Sequence, residues 1–304
     1  MGGISSEREV SLMSGSGVRK ALESKGLAVT VYDPAVDSVE LLEAGKFDAA
    51  FIALHGKLGE DGSMQGLFNV LGIPYTGPGV RACAVAMDKD LTKTIWRAAG
   101  IPVPRGMRVE GAAADDAALL QRLIDEFGAA GLVIKPDQDG SSIGVTKLPR
   151  ESLTPQALAA AIGQACRGGK DAALVEEYIH GREFTIAVID GKALPVIEIK
   201  APEGSYDFQN KYYTDTTQYV CPAALTPEQT AELQGLTQAA FAALGCRGWS
   251  RVDALMREDG TFALLEINTS PGMTPHSLVP MAARAVGMDY ADLCLHVLSL
   301  ADVD

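Results

Sequence analysis

The stretch from Ser250 to Asn268, SRVDALMREDGTFALLEIN, carries the reading that decides the fold. Its two ends, SRVDALM and FALLEIN, read as strands. Asp259-Gly260 between them is a favoured two-residue hairpin turn. That turn sets Glu258 against Thr261, hence Asp253 against Glu266 and Arg251 against Asn268. Side chains alternate along a strand, so these last four share one face, while Val252, Leu265 and Ile267 project into the core. Two carboxylates and an amide oxygen on one face make a hard-oxygen cluster suited to Mg²⁺ that also holds substrate phosphates. The same residues would serve as a solvated face with a cross-strand ion pair, and register alone leaves both open. The metal reading gains from the adjoining segment, Thr269-Ser270-Pro271-Gly272-Met273-Thr274, whose backbone amides can approach an anion.

Further upstream, Lys135 ends a buried strand at Leu132 to Lys135, where a solvated lysine is out of place. Asp139-Gly140-Ser141-Ser142-Ile143-Gly144 comes after it, and its glycines permit close backbone approach and N–H donation to phosphates. The segment is neither a Walker A loop nor a GxGxxG fingerprint. A strand lysine, a Gly/Ser loop and an oxygen cluster together supply charge neutralisation, a cover and a metal clamp, the parts phosphoryl chemistry needs.

The first ninety residues read as α/β. Ser6 to Glu9 has the S-x-x-E form of a helix capping box, with a helix through about Lys25. Leu27 to Tyr32 and Phe47 to Leu54 read as strands, and their alternation with helices predicts a parallel sheet. Met1-Gly2-Gly3 resembles the turn after a strand, with no strand before it. A helix is expected from about Ala82 to Ala99, others at about 155–167 and 227–245, and strands at Leu174 to Tyr178 and Phe184 to Ile189. The segment 201–222 has no period and several tyrosines, and reads as a functional loop or lid. A final helical region covers 278–301.

Lys and Arg number 26 against 39 Asp and Glu, a net charge of −13. Such a surface repels phosphate backbones and anionic lipid, which argues against nucleic-acid and membrane partners. A small anionic substrate remains admissible, because a few lysines in a cleft outweigh the global field locally. Cys83, Cys166, Cys221, Cys246 and Cys294 are scattered without CxxC spacing, as expected of reduced thiols. No apolar run approaches the ~18 residues that span a bilayer, and no secretory leader is evident, so a cytoplasmic protein is expected.

Seven ordered segments carry a family resemblance: GGISSEREVSLMSG (2–15), HGKLGEDGSMQG (55–66), MDKD (87–90), IKPDQDGSSIGV (134–145), VEEYIHGREFT (175–185), YDFQNKYYTDTTQY (206–219) and LEINTSPGMTPHSLVP (265–280). By these the chain resembles the D-alanine–D-alanine ligases of the ATP-grasp superfamily. The resemblance implies an α/β (α+β) ATP-grasp fold with an N-terminal Rossmann-like parallel-sheet domain at 1–88. A central subdomain at 89–178 and a C-terminal one at 179–304 would follow. It implies two D-alanines joined through a D-alanyl phosphate for peptidoglycan precursor synthesis, with ATP as co-substrate and two Mg²⁺ ions, Mn²⁺ substituting. The expected metal ligands are Asp253, Glu266 and Asn268. Lys89, Lys135 and Lys211 would contact ATP phosphates under a loop carrying Ser142. Glu176 and the backbone near Ile179 would face adenine, with Glu183 on the ribose.

By the same resemblance Arg251 and the Gly272 amide form the oxyanion hole. Glu7, Ser141 and Tyr212 form a hydrogen-bonded triad beside the first D-alanine, Glu7 receiving its ammonium. Alone, Glu7 would read as a helix-dipole carboxylate in a first turn. Ser277 and the backbone at Leu278 would hold the second carboxylate, and His55 with Glu60 would line the first subsite. A homodimer is implied as well. Ligases that prefer D-lactate or D-serine depart from this pattern in the tyrosine-bearing loop, where Lys211-Tyr212 keeps the dipeptide form. A catalytically silent ATP-grasp protein would have lost metal ligands or Arg251, and none is lost.

Overall fold

The computed structural model describes residues 1–138, 144–168, 171–200 and 217–304. Ser141, Ser142, Lys211 and Tyr212 lie outside the described residues. Four helices come first: α1 (Arg8–Ser24), α2 (Ser63–Leu71), α3 (Val80–Met87) and α4 (Lys89–Ala98). Two antiparallel sheets come next. The first contains β1 (Gly106–Glu110), β2 (Gly131–Pro136), β3 (Thr146–Pro149) and β4 (Ala172–Glu177) in the order β1-β4-β2-β3. The second contains β5 (Gly181–Ile189), β6 (Lys192–Ala193), β7 (Ile197–Lys200), β8 (Gln218–Val220), β9 (Trp249–Arg257) and β10 (Phe262–Asn268). Its order is β10-β9-β5-β7-β8, with β6 on β5.

Alternation sets an apolar face in each sheet against a working face that carries the polar cluster. In the second sheet the rest of that working face, Ala187, Ile197 and Trp249 among it, packs into a further core with α1. Leu132 and Ile134 of β2 and Ala173 and Val175 of β4 pack with Leu123, Leu158 and Ile162 from helices Ala117–Phe127 and Pro155–Ala165. Lys135 and Glu176, each one residue past Ile134 and Val175, therefore point the other way. In the second sheet Phe184, Ile186, Val252, Ala254 and Ile267 pack with Trp96 of α4 and with Leu233 and Phe241 of the helix Pro227–Ala243. Thr185, Arg251 and Asp253 are left on the opposite face. Helix α4 joins the two working faces, with Lys93 paired to Glu176 and Lys89 to Glu266.

The hairpin departs from its expected turn and still reaches the expected pairing. Arg257 N–H donates to Thr261 O at 2.8 Å, and Gly260 N–H to Arg257 O at 3.0 Å, so Glu258-Asp259-Gly260 is a three-residue loop. Gly260 closes it at φ 86°, the left-handed conformation such a loop requires. Phe262 then pairs with Met256 and Leu264 with Ala254, one residue off the two-residue register. A bulge at Leu265 restores it: Glu266 pairs with Asp253 and Asn268 with Arg251. Leu265, expected in the core, is for that reason only partly buried, whereas Val252 and Ile267 are core.

The N-terminal part corrects three expectations. Helix α1 begins after Glu7, with no capping box at Ser6. Instead Ser5 Oγ accepts from Glu7 N–H at 3.2 Å and donates to His55 O at 2.7 Å. The helix expected over 82–99 is two helices, because Asp88 leaves α3 in extended geometry and caps α4 by accepting from Leu91 N–H. Leu27–Tyr32 and Phe47–Leu54 form no strand ladder. The parallel pairing they predicted survives as a single bridge between Ala50 and Tyr75. Side chains take the backbone partners a neighbouring strand would supply. Ile52 N–H donates to Thr76 Oγ1, while Ser270 Oγ donates to Ile52 O and Ser11 Oγ to Ala53 O. The division expected at residue 88 falls between α3 and α4.

Candidate active site

The metal-type face is a tight polar network. Arg251 binds Asp253 in bidentate fashion, Nε to Oδ1 at 2.9 Å and an Nη to Oδ2 at 2.8 Å. Thr185, opposite Asp253 on β5, donates its hydroxyl to Oδ1 at 2.6 Å, and Asn268 Nδ2 donates to Oδ2 at 3.2 Å. Asp253 is buried, and Glu266 beside it keeps 27% of its side chain exposed toward the cleft. Two carboxylates and an amide on adjacent strands are donors a hard divalent cation prefers. Among the described residues no group of three His, Cys, Asp or Glu is placed to hold a metal ion, since the third donor here is an amide. Glu183 lies two residues from Thr185, hence on this same face.

Across from it lies a buried run of charge. Lys89 Nζ is 3.9 Å from Glu266 Oε2. Lys135 Nζ is 2.8 Å from Glu176 Oε2, and Lys93 pairs with Oε1 of the same carboxylate. Burial would push the Glu176 carboxyl up, but the two ammonium groups override it and hold it down at about 2. Burial also works against the charge of Lys135, and Glu176 with Glu266 more than restores it. Lys93, sharing the carboxylate with Lys135, is pulled down by burial to about 7. Lys89 is lowered by burial too, with Glu266 opposing. Lys93 was not among the expected residues, yet the signal was present. It stands one helical turn after Lys89, so a helix over MDKDLTK puts both on one side.

A cleft of about 760 Å³ opens onto the metal-type face. Its lining includes Glu7, His55, Glu60, Arg251, Glu266, Asn268, Gly272, Ser277 and Leu278, so nine expected residues from four distant parts of the chain meet there. Burial, reinforced by the charge of Glu7, pushes the Glu60 carboxyl up to about 8, so Glu60 holds its proton at neutral pH. Gly56 makes room for Glu7: it sits at φ 65°, and a β-carbon there would come within 2.9 Å of Glu7 Oε2. His55 lines the cleft while both its ring nitrogens serve the protein, Nδ1 against Ser270 O at 2.8 Å and Nε2 against Ser14 Oγ at 3.0 Å. Burial holds its imidazole below the usual value and therefore neutral.

The segment after β10 closes the cleft. Ser277 Oγ accepts from Thr274 N–H at 3.0 Å and lies 2.8 Å from Thr274 Oγ1. It precedes the helix Leu278–Ala285 without capping it, so the first-turn amides there keep their positive field for an anion. Lys89, Lys135, Glu176 and Asp253 stand behind the cleft wall rather than in its lining, joined to it through Glu266 and Arg251. Ile179 is buried just past β4, also outside the lining. Thr185 and Ser14 were not anticipated, because a lone buried hydroxyl has no sequence signature.

Comparison with known proteins agrees with this geometry. The family model described as "D-ala D-ala ligase C-terminus" matches residues 95–299, and that for the N-terminus matches 33–78. A D-alanine–D-alanine ligase of Janthinobacterium sp. (strain Marseille) is 49% identical over 307 residues, covering 99% of this chain and 93% of the relative. The crystal structure of the Bacillus anthracis D-alanine–D-alanine ligase complexed with ATP superposes with a TM-score of 0.83 at 30% identity, covering 99% of this chain and 94% of that one. The VanG D-Ala:D-Ser ligase of Enterococcus faecalis gives 0.83 at 28% identity, covering 99% and 97%. With an ATP-grasp fold and full-length similarity of this order, the chain belongs to the D-alanine–D-alanine ligase family.

Proposed function

We propose that this protein joins two D-alanines to D-alanyl-D-alanine with ATP. The observation that carries the proposal is one cleft where Arg251, Glu266 and Asn268 from paired strands meet Glu7, Gly272 and Ser277. Glu7 receives the ammonium of the first D-alanine, and Glu60, holding its proton, spares the subsite a second negative charge. The carboxylate of that D-alanine attacks the γ-phosphorus of ATP, and ADP leaves. Lys89, Lys93 and Lys135 neutralise the phosphates from one side. Lys211 and the loop bearing Ser142 complete that contact by family resemblance, as Glu176, Ile179 and Glu183 do for adenine and ribose.

Asp253, Glu266 and Asn268 would hold Mg²⁺, which when bound supplies charge neutralisation for the phosphates. Thr185 orients Asp253 from below, since its hydroxyl fixes one carboxylate oxygen. The amine of the second D-alanine, its carboxylate held by Ser277 and the amide of Leu278, attacks the acylphosphate carbon. Arg251, which cannot deprotonate, and the Gly272 N–H take up the charge that develops on oxygen, and phosphate departs. Ser141 and Tyr212 belong with Glu7 at the first subsite by resemblance. We assign residues 1–88, 89–178 and 179–304 as substrate, central and C-terminal parts of a cytoplasmic homodimer serving cell-wall synthesis. No described helix is long and apolar enough to cross a membrane.

Phosphate release with Mg²⁺-ATP tests the proposal, comparing D-alanine alone with D-alanine plus D-serine or D-lactate, L-alanine, and no amino acid. Release with D-alanine alone, accompanied by the dipeptide, is expected. Release only when D-serine or D-lactate is added would reassign the acceptor, and no D-alanine-dependent release would refute the activity.

A further inference from the structure

Ser270-Pro271-Gly272-Met273 is held on both sides by atoms from remote parts of the chain. At Ser270 the N–H donates to Glu60 Oε1 at 3.3 Å, the hydroxyl to Ile52 O at 3.3 Å, and the carbonyl accepts from His55 Nδ1 at 2.8 Å. At Met273 the N–H donates to Ser14 Oγ at 3.2 Å, and the carbonyl accepts from Tyr290 at 2.6 Å. Pro271 has no N–H, and the Gly272 N–H meets no acceptor among the described residues while Gly272 lines the cleft. One amide is thus left open between two fastened neighbours.

Two of these fastenings are linked. A carbonyl only accepts, so His55 carries its hydrogen on Nδ1, and its Nε2 must accept from the Ser14 hydroxyl at 3.0 Å. With its proton given to His55, Ser14 offers a lone pair to Met273 N–H. The chain of bonds runs Met273 N–H to Ser14 O–H to His55 Nε2, then Nδ1–H to Ser270 O. Every member is buried: Ser14 and Met273 at 0%, His55 and Ser270 at 4%. The chain starts at Met273 and ends at Ser270, bracketing the open amide, and reversing any hydroxyl or tautomer would leave a buried group without a partner.

We propose that Ser14 and His55 form a single clamp that positions the Gly272 N–H for the tetrahedral intermediate. The proposal rests on the acyl-transfer chemistry above. Neither residue need touch substrate. Their effect is to fix the amide where the oxyanion forms, and misplacement by about 1 Å costs about a hundredfold in rate.

Ser14→Ala removes the acceptor of Met273 N–H and the donor to His55 in one change. Full-length protein is assayed for phosphate release with Mg²⁺-ATP and D-alanine. Binding of a phosphinate dipeptide, whose tetrahedral centre mimics the intermediate, is measured in parallel. The clamp predicts kcat lower by about 10–100-fold, with KM for ATP and D-alanine within about threefold and phosphinate affinity falling in step with kcat/KM. His55→Asn keeps a donor near Ser270 O and cannot reach Ser14. It is expected to give a smaller loss of the same kind, and is judged alone should Ser14→Ala not fold. A folded variant with kcat within about threefold of the unaltered protein overturns the clamp, as does an equal loss of D-alanine and phosphinate binding. No D-alanine-dependent release from the unaltered protein would instead overturn the ligase proposal itself.

Discussion

Replacing Glu176 by glutamine removes the single anion that two buried lysines share. Glu176 is 2% exposed, with Lys135 Nζ 2.8 Å from one oxygen and Lys93 on the other. Without its charge the Lys135 ammonium faces a neutral amide in a site that excludes water, and Lys93, lowered by burial and held up by Glu176, gives up its proton. Breaking a buried pair from one side costs about 3–5 kcal/mol. At about 2–4 °C per kcal/mol for a chain of this size, Tm should fall on the order of 10 °C. Lys93→Met perturbs the same trio in the opposite sense. The trio holds two cations to one anion, so the substitution leaves a one-to-one pair of Lys135 with Glu176 and fills the space with an apolar chain of similar length. Stability should then stay within about 1.5 kcal/mol or rise.

Nucleotide binding should respond differently. Lys93→Met removes a fully buried charge that on the proposed reading acts on the phosphates only through the field it shares with Lys135, so KM for ATP should rise by less than the ~10-fold that loss of a charged hydrogen bond would give. Thermal unfolding monitored by circular dichroism and KM for ATP from phosphate release separate the two effects. A pH series adds a signed test. The Lys93 ammonium titrates near 7 in the folded protein against an ordinary value of 10.5. Between these the unfolded chain binds more protons, so stability gains from this group as pH rises from about 7 to 10.5. That gain should be absent in Lys93→Met. Equal destabilisation by Lys93→Met and Glu176→Gln would refute the reasoning, because Lys93 would then be an obligatory counter-ion rather than surplus charge.

Glu266→Ala should abolish Mg²⁺-dependent phosphate release with little change in Tm, because Glu266 is partly exposed. Asp253→Ala should lose activity and also some stability, since it removes the buried carboxylate that Arg251, Thr185 and Asn268 bind. Normal activity in Glu266→Ala would remove it from the metal site. At the N-terminal end, the Arg8 hydrogen bond, outweighing burial, lowers the Asp33 carboxyl to about 2 from 3.8. A lowered acid stabilises the fold above 3.8 and loses that contribution as pH falls through about 2, so Asp33→Asn should flatten the acid limb of an unfolding-versus-pH curve in that window. An unchanged limb would assign acid sensitivity elsewhere.

Period and turn chemistry made the hairpin legible, and the same features explain its error. Alternation placed Asp253 and Glu266 on one face, yet Asp259-Gly260 fits both a two-residue loop and a three-residue loop closed by left-handed glycine. The bulge at Leu265 that restores the pairing has no signature in a run of apolar residues. Burial of Lys135 was legible from its apolar strand, whereas Lys93 needed a helix read through MDKDLTK, and a four-residue motif stopped short of it. The N-terminal strands were misjudged for a deeper reason. Apolar runs forecast extended chain, but which atoms satisfy its backbone is a long-range matter, and here Ser5, Ser11, Thr76 and Ser270 do so. Two hydroxyls, Ser270 on Ile52 O and Ser14 on Met273 N–H, tie the N-terminal part to the 269–273 segment, so substitutions inconspicuous in the sequence should act directly on the geometry of the cleft.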